Sequence, residues 1–130
     1  MDPKIFKAYD IRGKYPQEFN EHDAFKIAEV LAGFFKKGKV VLGYDSRIGS
    51  RTIYQSVIKG LTTKNPKLKI LKIGMITTPM MYFLVNSLKT RGGIMVTASH
   101  NPKEYNGLKI AREKALLVSG LEIKKLMKIN

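Results

Sequence analysis

Apolar residues along this chain recur with two periods, and the switching between them lays out its elements. Ile5-Phe6-Lys7-Ala8-Tyr9-Asp10-Ile11 alternates crudely and predicts a first strand ending at Arg12-Gly13. A loop containing Pro16 runs from Lys14 to Phe19. Ala24, Ile27, Ala28, Leu31, Phe34 and Phe35 then fall at helical spacing and predict an amphipathic helix over about 21–37. Asn20 is placed to cap it, with Asp23 completing an approximate capping box, and Gly38 is placed to close it. Val40-Val41-Leu42-Gly43-Tyr44 is apolar enough for a strand buried on both faces.

The alternation then repeats. Ser50 is placed to cap a helix whose inner stripe is Ile53, Val57 and Leu61, and Asn65-Pro66 turns the chain. Ile70 to Gly74 predicts a third strand. Thr78-Pro79 starts a helix with proline at its first position, running to about Lys89 with Met80, Phe83, Leu84 and Leu88 inside. Gly93-Ile94-Met95-Val96 predicts a buried fourth strand, and Leu108–Ile110 and Leu116–Val118 two short ones. A last helix from about Ser119 uses Leu121, Leu126 and Met127. Strand–helix alternation of this kind predicts an α/β fold of three α/β/α layers, with a mixed, mostly parallel sheet of about four main strands. The 130 residues make one domain, 1–130.

Composition adds an asymmetry. Lys and Arg total 24 against 10 Asp and Glu, a formal net charge of +14. That charge attracts polyanions, so a nucleic-acid partner enters the picture, as does an acidic protein or an anionic substrate. Much of the lysine is dispersed, however (Lys4, Lys7, Lys14, Lys26, Lys59, Lys72, Lys89), as on a solvated surface, and no nucleic-acid motif accompanies it. The absence of cysteine excludes disulfides and thiolate metal sites. Met1-Asp2-Pro3-Lys4 has no signal-peptide character, and no apolar run reaches the ~18 residues of a membrane span, so a cytoplasmic location is expected.

Ligands of open α/β sheets bind beyond the carboxyl ends of the strands. The predicted strand ends place Tyr9, Asp10 and Arg12, then Asp45 and Arg47, then Thr77 and Thr78, then Ser99 and His100 along one edge. The set suits an anion. Arginine engages phosphate oxygens bidentately, and the helix start at Thr78-Pro79 adds partial positive charge. The serine sits in Thr97-Ala98-Ser99-His100-Asn101-Pro102, where Pro102 stiffens a turn directly after a buried strand. A serine in a positive, rigid pocket can carry a phosphoryl group as a covalent relay. A hydrolytic triad fits less well. Ser99 and His100 are neighbours that point apart on extended backbone, no Gly-x-Ser-x-Gly elbow is present, and no acid is evidently placed to orient His100. An ordinary turn histidine and one more solvated lysine remain the plain readings of His100 and Lys109. The aspartates Asp2, Asp10, Asp23 and Asp45 are scattered, which argues against a metal site built by this chain alone.

Five segments together carry a resemblance: Tyr9-Asp10-Ile11-Arg12-Gly13, Gly43-Tyr44-Asp45-Ser46-Arg47, Thr78-Pro79, Thr97 to Pro102, and Asn106-Gly107-Leu108-Lys109. In order and spacing, over about residues 5–111, they resemble the first domain of the α-D-phosphohexomutases, the phosphomannomutase/phosphoglucomutase enzymes and their relatives. The resemblance implies an intramolecular phosphotransferase of the isomerase class. Ser99 is then the phosphoserine, exchanging phosphoryl groups with a hexose phosphate between its C1 and C6 positions through a bisphosphate, which also serves as activator. His100, Arg12 and Lys109 line the transfer site, Tyr9 and Asn101 bind substrate, and Asp45 and Arg47 support the loop. Mg²⁺ is implied through the phosphate on Ser99, with aspartates from a following domain.

The family's Asp-Gly-Asp metal motif, its Gly-Glu-x-Ser-Gly-His sugar loop and its C-terminal Ser-Gly-Thr phosphate clamp do not occur in these residues. The expectation is therefore a phosphoserine domain without its later domains, incompetent for full turnover alone. It would work with those domains in trans or as a homodimer. The alternatives are a non-catalytic basic binding domain, facing nucleic acid or an acidic partner, and an inactive remnant.

Overall fold

A computed structural model describes all residues, Met1–Asn130. Its strands are β1 (Ile11–Lys14), β2 (Lys39–Tyr44), β3 (Lys69–Met75), β4 (Gly92–Val96), β5 (Tyr105–Arg112) and β6 (Leu117–Val118). The helices are α1 (Glu21–Phe35), α2 (Ser50–Lys64), α3 (Thr78–Ser87) and α4 (Gly120–Leu126). One six-stranded mixed sheet has the order β1-β5-β4-β2-β3, with β6 on β5. The β2–β3 and β2–β4 ladders are parallel, and those of β5 with β4, β1 and β6 are antiparallel. There are thus six strands rather than about four, and more antiparallel pairing than the alternation suggests.

Two apolar clusters hold the layers. On one face, Ile27, Leu31, Ile53, Val57 and Leu61 of α1 and α2 pack against Val40, Leu42, Ile94, Val96, Leu108 and Ile110. On the other, Met81 and Val85 of α3 pack against Val41, Met95 and Ala111. Neighbouring strand residues alternate between the clusters, as a pleated sheet requires. The chain crosses from β2 to β3 through α2 and returns from β3 to β4 through α3, and this reversal puts the two helices on opposite faces. The α1 helix begins with the capping box read from Asn20 and Asp23. It ends at Phe35, with Lys36 rather than Gly38 taking positive φ at its cap.

Several expectations give way. Residues 5–10 are not a strand, apart from an isolated bridge of Phe6 with Ile11. Pro3–Ile5 form a short 3-10 turn whose first amides are capped by Asp2, and the Lys7 amide closes a tight turn on the Asp10 carbonyl at 2.8 Å. Ile5 and Phe6 are buried from that turn, so their apolar character reports packing and not strand. Met80 to Val85 are apolar without a break, so periodicity cannot choose the inner face of α3. The buried residues are Met81 and Val85, while Met80, Phe83 and Leu88 are exposed and Leu84 is half-buried. In α4 the core residue is Ile123, with Leu121 and Leu126 exposed. Gly49, at φ 85°, is the N-cap of α2, and Ser50 turns its hydroxyl elsewhere.

β1 begins where it was expected to end, yet its residues reach the predicted edge. Ile11 pairs with Leu108, which pairs on its other side with Val96, the last residue of β4. β1 is therefore staggered so that its start is level with the carboxyl end of β4. The stagger depends on Gly107. A Cβ there would lie 1.9 Å from the Ile11 carbonyl oxygen. Gly107→Ala should pry β1 off β5 and cost ~3 kcal/mol or more in chemical denaturation. A wild-type midpoint would show that this edge tolerates the displacement.

Candidate functional site

Strand alternation puts two cations on the α3 face of the sheet. Arg12 pairs with Gly107, and Lys109 lies two residues beyond Gly107 on β5, so the two point the same way. Asp10, in the turn before β1, meets both. The Asp10 side chain is 3% exposed and faces both cations, with Arg12 Nε 2.8 Å from Oδ1 and Lys109 Nζ 3.4 Å from Oδ2. The Asp10–Arg12 contact is an ion pair without the alignment of a hydrogen bond. Two cations against one anion leave a formal charge of +1 here.

These residues line a cleft of about 600 Å³ together with Tyr9, Thr78, Pro79, Tyr82, Thr97, Ser99 and His100. The start of α3, capped by the Thr77 hydroxyl accepting from the Met80 amide, closes one side. Tyr82 half-lines the cleft. Burial and then the negative charge of Asp10 push its phenol above the ordinary value, so it stays a neutral hydroxyl able to donate. Tyr9 stands at the rim, 65% exposed.

The serine loop is held by Arg47. One of its terminal nitrogens donates to the carbonyls of Ser99 and Asn101, both at 2.7 Å. The other donates to Pro102 at 2.7 Å and to Tyr105 at 3.2 Å. Arg47 Nε lies 3.4 Å from Asp45 Oδ2. The other oxygen of Asp45 accepts from the Ser50 hydroxyl at 2.6 Å and the Arg47 amide at 3.1 Å. Asn106, fully buried, donates to Ser50 Oγ and to the Ile48 carbonyl at 3.0 and 3.1 Å. Arg47 is thus spent on the loop's carbonyls, and of the two arginines only Arg12 lines the cleft.

The clamp sets the backbone of the loop. The Ser99 amide donates to Thr97 Oγ1 at 2.9 Å, and the Asn101 amide to the Ala98 carbonyl at 3.1 Å. Ser99 is held at φ 56°, a left-handed conformation that costs a non-glycine residue ~1–2 kcal/mol. On such a bend neighbouring side chains need not diverge, and Ser99 and His100 both line the cleft. Extended geometry therefore does not separate Ser99 from His100 here. The lack of an orienting acid still argues against a triad: the only carboxylate lining the cleft, Asp10, is committed to Arg12 and Lys109. Asn101 does not line the cleft. Its carboxamide oxygen accepts from Arg12 Nη1 and so ties the loop to β1.

Of the residues read from the sequence, Ser99, His100, Arg12, Lys109 and Tyr9 come together, with Asp45 and Arg47 behind the loop. Tyr82 was not singled out. Asp10 was placed at this edge, Ser50 as a helix cap and Asn106 in a matching segment, but the partners of Ser50 and Asn106 depend on contacts between distant positions, such as Asn106 to Ser50, which no local pattern carries. Ser99→Gly should remove the left-handed strain and raise stability by ~1 kcal/mol in denaturant unfolding. A destabilised glycine variant would mean that the serine hydroxyl, not the clamp, holds the loop.

The family model for phosphoglucomutase/phosphomannomutase, alpha/beta/alpha domain I, matches residues 3–129. A phosphohexose mutase of Xanthomonas campestris is 45% identical over 119 residues, 92% of this chain and 26% of that protein. A phosphomannomutase of Escherichia coli is 46% identical over 115 residues, 88% of this chain and 25% of its own length. The crystal structure of a phosphoglucomutase/phosphomannomutase family protein from Burkholderia thailandensis superposes with a TM-score of 0.84 at 29% identity, over 98% of this chain and 30% of that one. The chain thus spans about a quarter of the length of these curated relatives. With its fold, its serine loop and nearly all of its length accounted for, the chain belongs to the phosphoglucomutase/phosphomannomutase family, as its α/β/α domain I.

Proposed function

We propose that this chain is the phosphoserine-bearing part of a hexose-phosphate mutase, with Ser99 as the phosphoryl carrier. The observation that carries the reading is the convergence on one cleft of a strained, clamped serine, two cations and a helix start. The Ser99 hydroxyl attacks a phosphorus of a glucose or mannose bisphosphate. The Oγ–P bond forms, the bond from phosphorus to the sugar oxygen breaks, and the serine proton passes to that oxygen by way of His100. The hexose monophosphate leaves, and the reverse step onto the other hydroxyl of a monophosphate completes an exchange between C1 and C6. Arg12 and Lys109 steady the charge on the equatorial oxygens. Tyr9, at the rim, meets the sugar.

The residues present do not build a Mg²⁺ site. No three His, Asp or Glu side chains come together, and Asp10 is paired with two cations. Any divalent ion would need oxygen ligands from a phosphoryl group and from outside these residues. Sugar selection and capture of the distal phosphate are likewise assigned to the rest of a mutase, met in trans or in a longer chain. Met80 and Phe83 are exposed on α3, the helix whose start closes the cleft, and offer such a partner apolar surface. No helix is long and apolar enough to cross a membrane. A cytoplasmic setting belongs to this same proposal.

Incubation with glucose or mannose 1,6-bisphosphate should add one phosphoryl group, mapped to Ser99 by peptide mass spectrometry. Mutase turnover by the chain alone should be negligible. Absence of label, even with the remaining mutase domains supplied, would overturn the reading, and robust unaided turnover would overturn the division of labour.

A further inference from the structure

We infer that Asp10 is a positioning residue, whose buried carboxylate aims Arg12 and Lys109 at the phosphoryl group rather than merely balancing their charge. The inference rests on the reading of the cleft as a phosphoryl site and goes beyond it. Asp10 is 2% exposed and comes from the turn before β1. Its two oxygens are divided between two elements, Oδ1 facing Arg12 on β1 and Oδ2 facing Lys109 on β5. Flexible lysine and arginine side chains lose substantial rotamer entropy when fixed, and a shared anchor lets the fold bear that cost before the ligand arrives.

The anchoring of Arg12 has a direction. Nε is drawn to Asp10 as an ion pair without a hydrogen bond, and Nη1 donates to Asn101 of the serine loop, which leaves Nη2 without a protein partner. The guanidinium is therefore located from two sides, with the Nε–H and Nη2 donors left for a ligand. The turn carrying Asp10 is itself braced. The Lys7 amide closes on the Asp10 carbonyl, and Gly120 at the start of α4 packs so closely that a Cβ there would lie 2.2 Å from that carbonyl. The backbone of Asp10 is thus located by contacts that have no other bearing on the cleft.

Charge and aim make opposite predictions. Removing the carboxylate raises the formal charge of the triad from +1 to +2, which on charge alone strengthens anion binding. If aim dominates, binding weakens despite the added charge. The test is titration of the folded chain with inorganic phosphate at low ionic strength, followed by NMR through the Ser99 amide and the Arg12 Nε–H. Asp10→Asn should weaken phosphate binding at least threefold. Asp10→Glu, which keeps the charge but displaces it by a methylene, should weaken it as well, and serves if the Asn variant does not fold. Equal or tighter binding by either folded variant overturns the positioning role. Failure of the wild-type chain to bind phosphate would overturn the phosphoryl-site reading instead, and the inference with it.

Discussion

The guanidinium of Arg47 is the centre on which the site depends. Four carbonyls, from Ser99, Asn101 and Pro102 of the loop and Tyr105 at the start of β5, point inward at it, and one planar fork satisfies them all. Without that cation the carbonyl dipoles would repel one another and the bend at Ser99 would relax toward ordinary backbone. The positive φ of Ser99 is the visible trace of this constraint. Behind Arg47, Asp45, Ser50 and Asn106 form a chain of buried and part-buried hydrogen bonds linking the end of β2 with the starts of β5 and α2. The fold thus supplies a rigid platform, and the serine is its half-buried tip.

A second constraint works from the opposite wall. The stagger of β1, set by Gly107 against the Ile11 carbonyl, lifts Asp10 and Arg12 to the level of the serine loop. With normal alternation on β5, Lys109 joins them. The two walls meet in the hydrogen bond from Arg12 to Asn101, so the cation that would face a phosphoryl group is tied to the loop that would carry it.

Much of this was legible in the sequence, for definite reasons. α1 carries its own capping box and a clear apolar stripe, and β2 and β4 are continuous apolar runs, so local signals sufficed. The serine loop announced itself through a proline-stiffened turn after a buried strand. Reading failed where apolar residues lacked a period, as in α3, or where a turn buried them, as at Ile5 and Phe6. It also failed for interactions between distant elements. Nothing local marks Arg47 as a carbonyl clamp rather than a phosphate ligand, because either role needs the same side chain at a strand end. The +14 charge had no single meaning in sequence, and what reaches the cleft is the small excess of Arg12 and Lys109 over Asp10.

The central claim is that Ser99 is a carrier, able both to take and to give a phosphoryl group. It is tested most directly by isolating the chain with radiolabelled phosphate on Ser99 and mixing it with the remaining domains of a mutase and excess hexose 6-phosphate. The account predicts that label leaves the protein as hexose bisphosphate, the Oγ–P bond breaking as a bond to the sugar oxygen forms. Label that stays on Ser99, or that is released only as inorganic phosphate, would contradict it.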